Sequence, residues 1–215
     1  VPIGLVFAAF LILNSMSAAF AQIPVSPNKL DSKGEREGAW TMLFDKNMNP
    51  VDDPDSAASW TIATFQGGKV IGTSRSFFRS GAKMSEVTFE NGKISGTVIG
   101  WYESGIKEFE TPYKNGLSEG KETVWHPSGK KWMEVTYKEG REDGLQTKWY
   151  QSGTKESEIP FKKGVLDGKA TRWYESGVKR TEIHYKDGKM HGTRIEWLEN
   201  GEKKSENRYD NGKKL

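Results

Sequence analysis

The chain has 215 residues, with 32 lysines and arginines against 29 aspartates and glutamates; the net charge of +3 is not the footprint of a nucleic-acid-binding domain. Cysteine is absent, which excludes disulfides, thiolate metal sites, cysteine nucleophiles and an N-terminal lipid-modified cysteine. Hydrophobic residues make up 34%, too few for a thick two-layer core, yet 8 Trp, 10 Phe and 7 Tyr argue against disorder.

The first 21 residues carry no charge and read as an address. Val1 to Leu13 is almost wholly apolar, Asn14, Ser15 and Ser17 follow, and Ala19-Phe20-Ala21 puts small residues at the two positions a signal peptidase reads. This predicts a secretory signal over residues 1–21, with Gln22 as the mature start, and a periplasmic, outer-envelope or secreted protein. The positively charged leading segment of such signals is missing. Left uncleaved, a run of about 20 residues is long enough to anchor the chain in a membrane. Residues 22–37, with Pro24 and Pro27, read as a flexible leader.

Residues 38–71 read as a degenerate two-strand unit. Gly38, Trp40 and Phe44 mark its first strand, and Trp60, Phe65 and Gly68 its second. An acidic insert around Asp52, Asp53 and Asp55 separates them. Downstream, from Gly72 to Leu215, the sequence repeats every 24 residues through six copies. A glycine opens each copy, at Gly72, Gly96, Gly120, Gly144, Gly168 and Gly192. Large aromatics follow at Phe77, Trp101, Trp125, Trp149, Trp173 and Trp197. Next come turn glycines Gly81, Gly105, Gly129, Gly153, Gly177 and Gly201, then a lysine column, Lys83, Lys107, Lys131, Lys155, Lys179 and Lys203. A glutamate column (Glu86, Glu110, Glu134, Glu158, Glu182, Glu206) precedes the aromatics Phe89, Tyr113, Tyr137, Phe161, Tyr185 and Tyr209. The copy ends on the turn glycines Gly92, Gly116, Gly140, Gly164, Gly188 and Gly212.

The turn signals Glu103–Gly105 and Lys114–Gly116, with their counterparts, suit three-residue loops ending in a left-handed glycine. Between them lie stretches rich in Thr, Val, Ile, Tyr and Trp, which is strand composition. The expected fold is therefore all-β: a single-layer antiparallel meander of tandem hairpins, elongated and coiled. Its fourteen strands would span about 65 Å at ~4.8 Å spacing. Alternation across Glu175–Gly177 predicts one face with Trp173, Lys179, Ile183 and Tyr185, taken as the buried side, with the lysine placed for cation–π contact with its paired tryptophan. Tyr174, Arg180, Glu182 and His184 are expected on the other face. This places each glutamate opposite the first glycine of the next copy.

The run Tyr113-Lys-Asn-Gly116 with Gly120, and Tyr185-Lys-Asp-Gly188 with Gly192, resembles the MORN repeat. The spacing Trp-Tyr-Glu-Ser-Gly-x-Lys, in Trp101–Lys107 and Trp173–Lys179, is more similar still to the MORN-variant repeat of the bacterial proteins called the YwqK family of antitoxins. The resemblance runs from about Gly38 to Leu215. It implies a repeat scaffold that binds a protein, a toxin in the antitoxin case. The second glycine of the ordinary MORN unit is replaced here by Ser74, Val98, Glu122, Gln146, Ala170 and Arg194, which weakens transfer of a lipid-binding role.

Catalysis finds little support, because the carboxylates are periodic and an active site is unique. The three histidines, His126, His184 and His191, offer no third ligand for a metal, and the acidic insert lacks a calcium-loop pattern. No catalytic residue, metal or cofactor is expected, and the protein reads as not an enzyme. The candidate binding face is the row Phe78, Tyr102, His126, Tyr150, Tyr174 and Leu198, opposite the tryptophan column. The alternative for that row is packing against its own strand neighbours. Two functions follow from the residues: an exported, non-enzymatic scaffold for a protein partner, of antitoxin or immunity type, or a cell-envelope module that holds glycan or an anionic membrane surface. Nucleic acid is disfavoured by export.

Overall fold

The computed structural model describes residues 23, 24 and 26–215. The secretory signal expected over residues 1–21 lies outside the described residues. Among the described residues fourteen main strands form an antiparallel meander in which each is bonded to its neighbours in sequence. They make one open sheet, as the repeat spacing predicts. A single 3-10 turn, Pro54–Ser56, is the one helical element among the described residues. No helix there is long and apolar enough to cross a membrane.

The unit Gly168–Trp173 and Lys179–Lys186 shows how the sequence builds the hairpin. At its tight end the Tyr174 N–H donates to the Val178 carbonyl at 2.8 Å, and the Gly177 N–H donates to the Tyr174 carbonyl at 2.9 Å. Gly177 has φ +84°, so this is the expected three-residue loop with a left-handed glycine. The turn between units differs from the expectation. Asn115 and Gly116 have φ +52° and +85°, and Lys114 pairs with Leu117. Two left-handed central residues make a two-residue type I′ turn, whose twist matches that of the strands it joins. Glu139-Gly140 and Lys163-Gly164 take the same form without the asparagine or aspartate that suits it.

The expected assignment of faces is overturned by a bulge. Trp173 pairs with Lys179, but Arg172 pairs with Thr181, so Arg180 is an extra residue on its strand. The other repeats shift register at the same step. One extra residue moves every side chain beyond it to the opposite face. Glu182 therefore joins Trp173 and Lys179, and its carboxylate meets the Lys179 ammonium at 3.1 Å. Ile183 and Tyr185 lie with Arg172 and Thr181 along one groove, on the face of Tyr174. The two sides are called here the Trp face and the Tyr face. The glutamates do not sit opposite the opening glycine of the next copy: on that strand Glu182 pairs with Ile195, not Gly192.

The strand is instead broken just before Gly96, Gly120, Gly144 and Gly168, whereas Gly72 and Gly192 lie within continuous strands. Leu117–Ser118 and Gly120–Trp125 are separated at Glu119, whose N–H donates to the Pro112 carbonyl at 2.9 Å. Gly120 has φ +112°, and a Cβ there would stand 3.0 Å from Pro112 Cγ. Pro112 is tolerated inside a strand because the ladder between units is interrupted beside it.

Burial is thin along the array and shared by both faces. Thr123, Thr147 and Thr171 are buried on the Trp face, and Val135, Ser157 and Ala170 on the Tyr face. Large buried aromatics gather in the N-terminal unit, Arg36–Phe44 and Ser59–Gln66, where Trp60 is 3% and Phe65 6% exposed. Trp60 stacks on Phe77 with ring centroids 5.5 Å apart. The end of the segment read as a leader belongs to this unit. Lys29–Leu30 pairs with Arg36 and Glu37, and the Asn28 side chain bonds both backbone groups of Thr41. The acidic insert is a capped turn: the Asp53 carboxylate accepts from the Asp55 N–H at 3.0 Å and the Ser56 hydroxyl at 2.8 Å.

Candidate binding surfaces

On the Trp face the three columns form one lattice. Within each copy the lysine ammonium meets the glutamate three residues on, as in Lys107–Glu110 at 2.8 Å and Lys203–Glu206 at 2.7 Å. The same ammonium lies over the tryptophan of the next copy. Lys83 is 4.7 Å from the centroid of Trp101, and Lys179 is 5.8 Å from that of Trp197. The cation–π contacts thus join neighbouring copies rather than the paired Trp173 and Lys179 of one copy. Each is worth about 0.5–1 kcal/mol at such exposed sites. Additional cations reach some of the glutamates: Lys121 lies 3.6 Å from Glu134 and Lys169 3.5 Å from Glu182. Partial burial opposes ionisation of Glu134 and Glu182, but hydrogen bonds and charge from these lysines win and hold both carboxyls below the usual range. This surface is covered by its own charge pairs.

On the Tyr face lies the row Phe78, Tyr102, His126, Tyr150, Tyr174 and Leu198. Its tyrosines lean across the gap between copies. The Tyr102 hydroxyl donates to the Trp125 carbonyl at 2.8 Å, Tyr150 to that of Trp173 at 2.8 Å and Tyr174 to that of Trp197 at 3.0 Å. Their hydroxyls therefore tie one copy to the next, and the rings are half-buried. Burial raises the hydroxyl pKa of Tyr102 and Tyr150 above the ordinary value, with help from Glu108 and Glu156 respectively. His126 has no hydroxyl to do this, and its Nε2 is buried with no hydrogen-bond partner. Leu198, in the last copy, is exposed.

The other histidines are apart from one another in role. His184 Nδ1 lies 3.1 Å from the Thr193 carbonyl, and His191 Nδ1 3.1 Å from Asp210. Among the described residues no three His, Asp or Glu side chains come together as metal ligands.

The bulge position adds residues to the Tyr face that the spacing did not single out. Trp132 occupies it and is 39% exposed, with the Lys148 ammonium 5.5 Å from its ring. The signal was present: the same position holds Met84, Glu108, Glu156, Arg180 and Lys204 elsewhere, so Trp132 is the one aromatic in a variable column. Further along the same face, in the following copies, runs an apolar groove of about 230 Å³ lined by Ile159, Phe161, Leu166, Ala170, Ile183 and Tyr185, with Arg172 and Thr181 at its side.

The MORN repeat variant profile matches residues 94–115, 118–139, 142–163, 166–187 and 190–211, half of the chain. The chain belongs to the MORN repeat variant family. Each matched MORN-variant repeat runs from one type I′ turn to the next and so contains one complete hairpin. The hairpin of Lys69–Phe78 and Lys83–Glu90 has the same register and bulge but lies outside the match. No curated protein matches the chain. Tandem MORN-variant repeats are repeat scaffolds for binding, since each copy presents the same surface again a fixed distance along the sheet.

Proposed function

We propose that the chain is a non-enzymatic, exported MORN-variant scaffold that binds a protein partner on its Tyr face, in the manner of an antitoxin or immunity protein. The observation that carries the reading is the apolar side of a sheet with no second layer. Ile159, Phe161, Ile183 and Tyr185 remain half-exposed around an open groove, and Trp132 of an earlier copy is exposed on the same face. An exposed tryptophan and an open apolar groove on one face suit a protein interface. The Trp face is less suited, because a partner there would have to break the lysine–glutamate lattice. Export rests on the apolar run and the Ala19-Phe20-Ala21 site.

The test has two arms. The chain, expressed with its leader in a bacterial host, is fractionated and its intact mass measured. A mass beginning at Gln22 in the periplasmic or secreted fraction supports export, and an uncleaved soluble cytoplasmic product overturns it. Proteins encoded beside this chain are then co-expressed with it. The reading expects one that is toxic alone, is neutralised by the chain and co-purifies with it, with both effects weakened by Trp132→Ala. Binding that is lost by about 0.5 M salt and is indifferent to Trp132→Ala would instead favour an anionic envelope surface.

A further inference from the structure

Most cations that line the Trp face are matched by a carboxylate. Four on the Tyr face are not matched one for one. Arg172, Arg180, Arg194 and Lys204 line a single cleft of about 350 Å³ between the last two copies. Only one carboxylate, Glu196, lines it with them, so four positive charges face one negative and the cleft carries +3. Glu196 is already engaged by Arg194. Arg180 lies 5.5 Å from the centroid of the Tyr174 ring and, like Arg172 and Lys204, makes no ion pair among the described residues. Arg194 itself is held by its neighbours, the Tyr209 hydroxyl and the Glu196 carboxylate, which raise its pKa. One copy earlier, the positions of Arg172, Arg180 and Arg194 hold Lys148, Glu156 and Ala170, so this cluster is not a consequence of the repeat.

Bringing like charges together costs free energy. An oxyanion placed among the cations of this cleft relieves the repulsion. Guanidinium groups present forked N–H donors that match the oxygens of a phosphate group, and Arg180 is already oriented by its stacking on Tyr174. The cleft has the size of a small-molecule site. We propose that it binds a phosphate ester, with Arg172 and Arg180 as the principal ligands and the Lys204 ammonium completing the shell. This site does not depend on the protein-partner reading, and its loss would leave that reading intact.

The test uses the full chain at low ionic strength, with glucose 6-phosphate, inorganic phosphate and glucose as calorimetric probes. The expected result is one saturable site for glucose 6-phosphate, competition by inorganic phosphate and no binding of glucose. Arg172→Gln with Arg180→Gln should weaken the site more than tenfold, with an unchanged circular dichroism spectrum. Lys138→Gln with Lys162→Gln, which removes the same charge at the turn edge, should leave it unchanged. Vesicles containing phosphatidic acid separate the sources of the phosphate. Vesicle binding displaced by glucose 6-phosphate places it on a lipid headgroup, and glucose 6-phosphate binding without vesicle binding places it on a soluble ester. The proposal is overturned by the absence of saturable binding of either phosphate probe, or by an equal loss in the turn-edge variant.

Discussion

At the scale of single residues, side chains of this array act mainly on the next copy. The row of Tyr102, Tyr150 and Tyr174 shows this most directly, since each hydroxyl closes on a tryptophan carbonyl 23 residues away. His126 interrupts the row and leaves a buried nitrogen without a partner. His126→Tyr should therefore stabilise the protein by about 1 kcal/mol, read as a higher urea midpoint at unchanged slope, because it supplies a hydroxyl to the Trp149 carbonyl. A lower midpoint would mean that Trp132, 6.2 Å away, leaves no room for the larger ring. The glutamate column gives a second expectation. Glu86, Glu134 and Glu182 are held below their ordinary values in the folded state, against partial burial, by neighbouring cations. A group depressed on folding contributes its stability above the unfolded value, near 4.3, and loses it as pH falls through the lower folded value. Urea midpoints should thus fall across that acid window, and Glu134→Gln with Glu182→Gln should flatten the fall. The effect should be modest and weaken in salt, because the lysine partners are half-exposed.

At the scale of the hairpin, the sequence and the backbone carry different information. Strand count and three-residue loops were legible because a left-handed glycine leaves a fixed mark at Gly105, Gly153 and Gly177. The type I′ turn was legible only in part: Lys-Asn-Gly reads equally as two or three residues, and the left-handed Asn115 decides it. The bulge left no mark at all, because its extra residue is methionine, glutamate, tryptophan, arginine or lysine in different copies. That is why Glu182, Ile183, His184 and Tyr185 were assigned to the wrong faces, while Lys179 and Arg180, before the shift takes effect, lie on the faces that alternation predicts. Where turn geometry and residue type disagree, stability can be gained. Lys163 has φ +52° beside Gly164, and its side chain offers the turn no local hydrogen bond. Lys163→Asn should raise the urea midpoint by the equivalent of about 0.5–1 kcal/mol, and Asn115→Lys should lower it comparably. Packing sets the opposite limit at Gly100, where an added Cβ would stand 2.3 Å from Phe109 Cε1. Gly100→Ala should cost about 1–3 kcal/mol, and adding Phe109→Leu should recover part of it. A neutral single substitution would mean that the ring swings clear at no cost.

For the whole molecule, the decisive asymmetry is between its two ends. Along the array each copy bonds chiefly to its neighbours, so free energy accumulates copy by copy. The N-terminal unit is different in kind. It buries Ala57, Trp60, Ala63 and Phe65, covers Phe77 with the Trp60 ring, and closes its own outer edge with Asn28, Lys29–Leu30 and Pro50–Val51. An edge closed in this way cannot template pairing with another chain. The unit therefore acts as a cap, which a stack of exposed hairpins needs for solubility. Its degeneracy relative to the repeat follows from that role: Ser59 stands where the lysine column would fall, and Trp60 covers the next aromatic instead. Two truncations separate cap from copy. Removing residues 191–215 should lower the urea m-value in proportion to the length lost and leave a folded, monomeric chain. Removing residues 1–66 bares Phe77 and the edge of Lys69–Phe78, and should produce aggregation or a disproportionate fall in midpoint, measured by light scattering and urea titration at equal concentration. Equal behaviour of the two truncations would show that every hairpin, first or last, carries the same share of the stability.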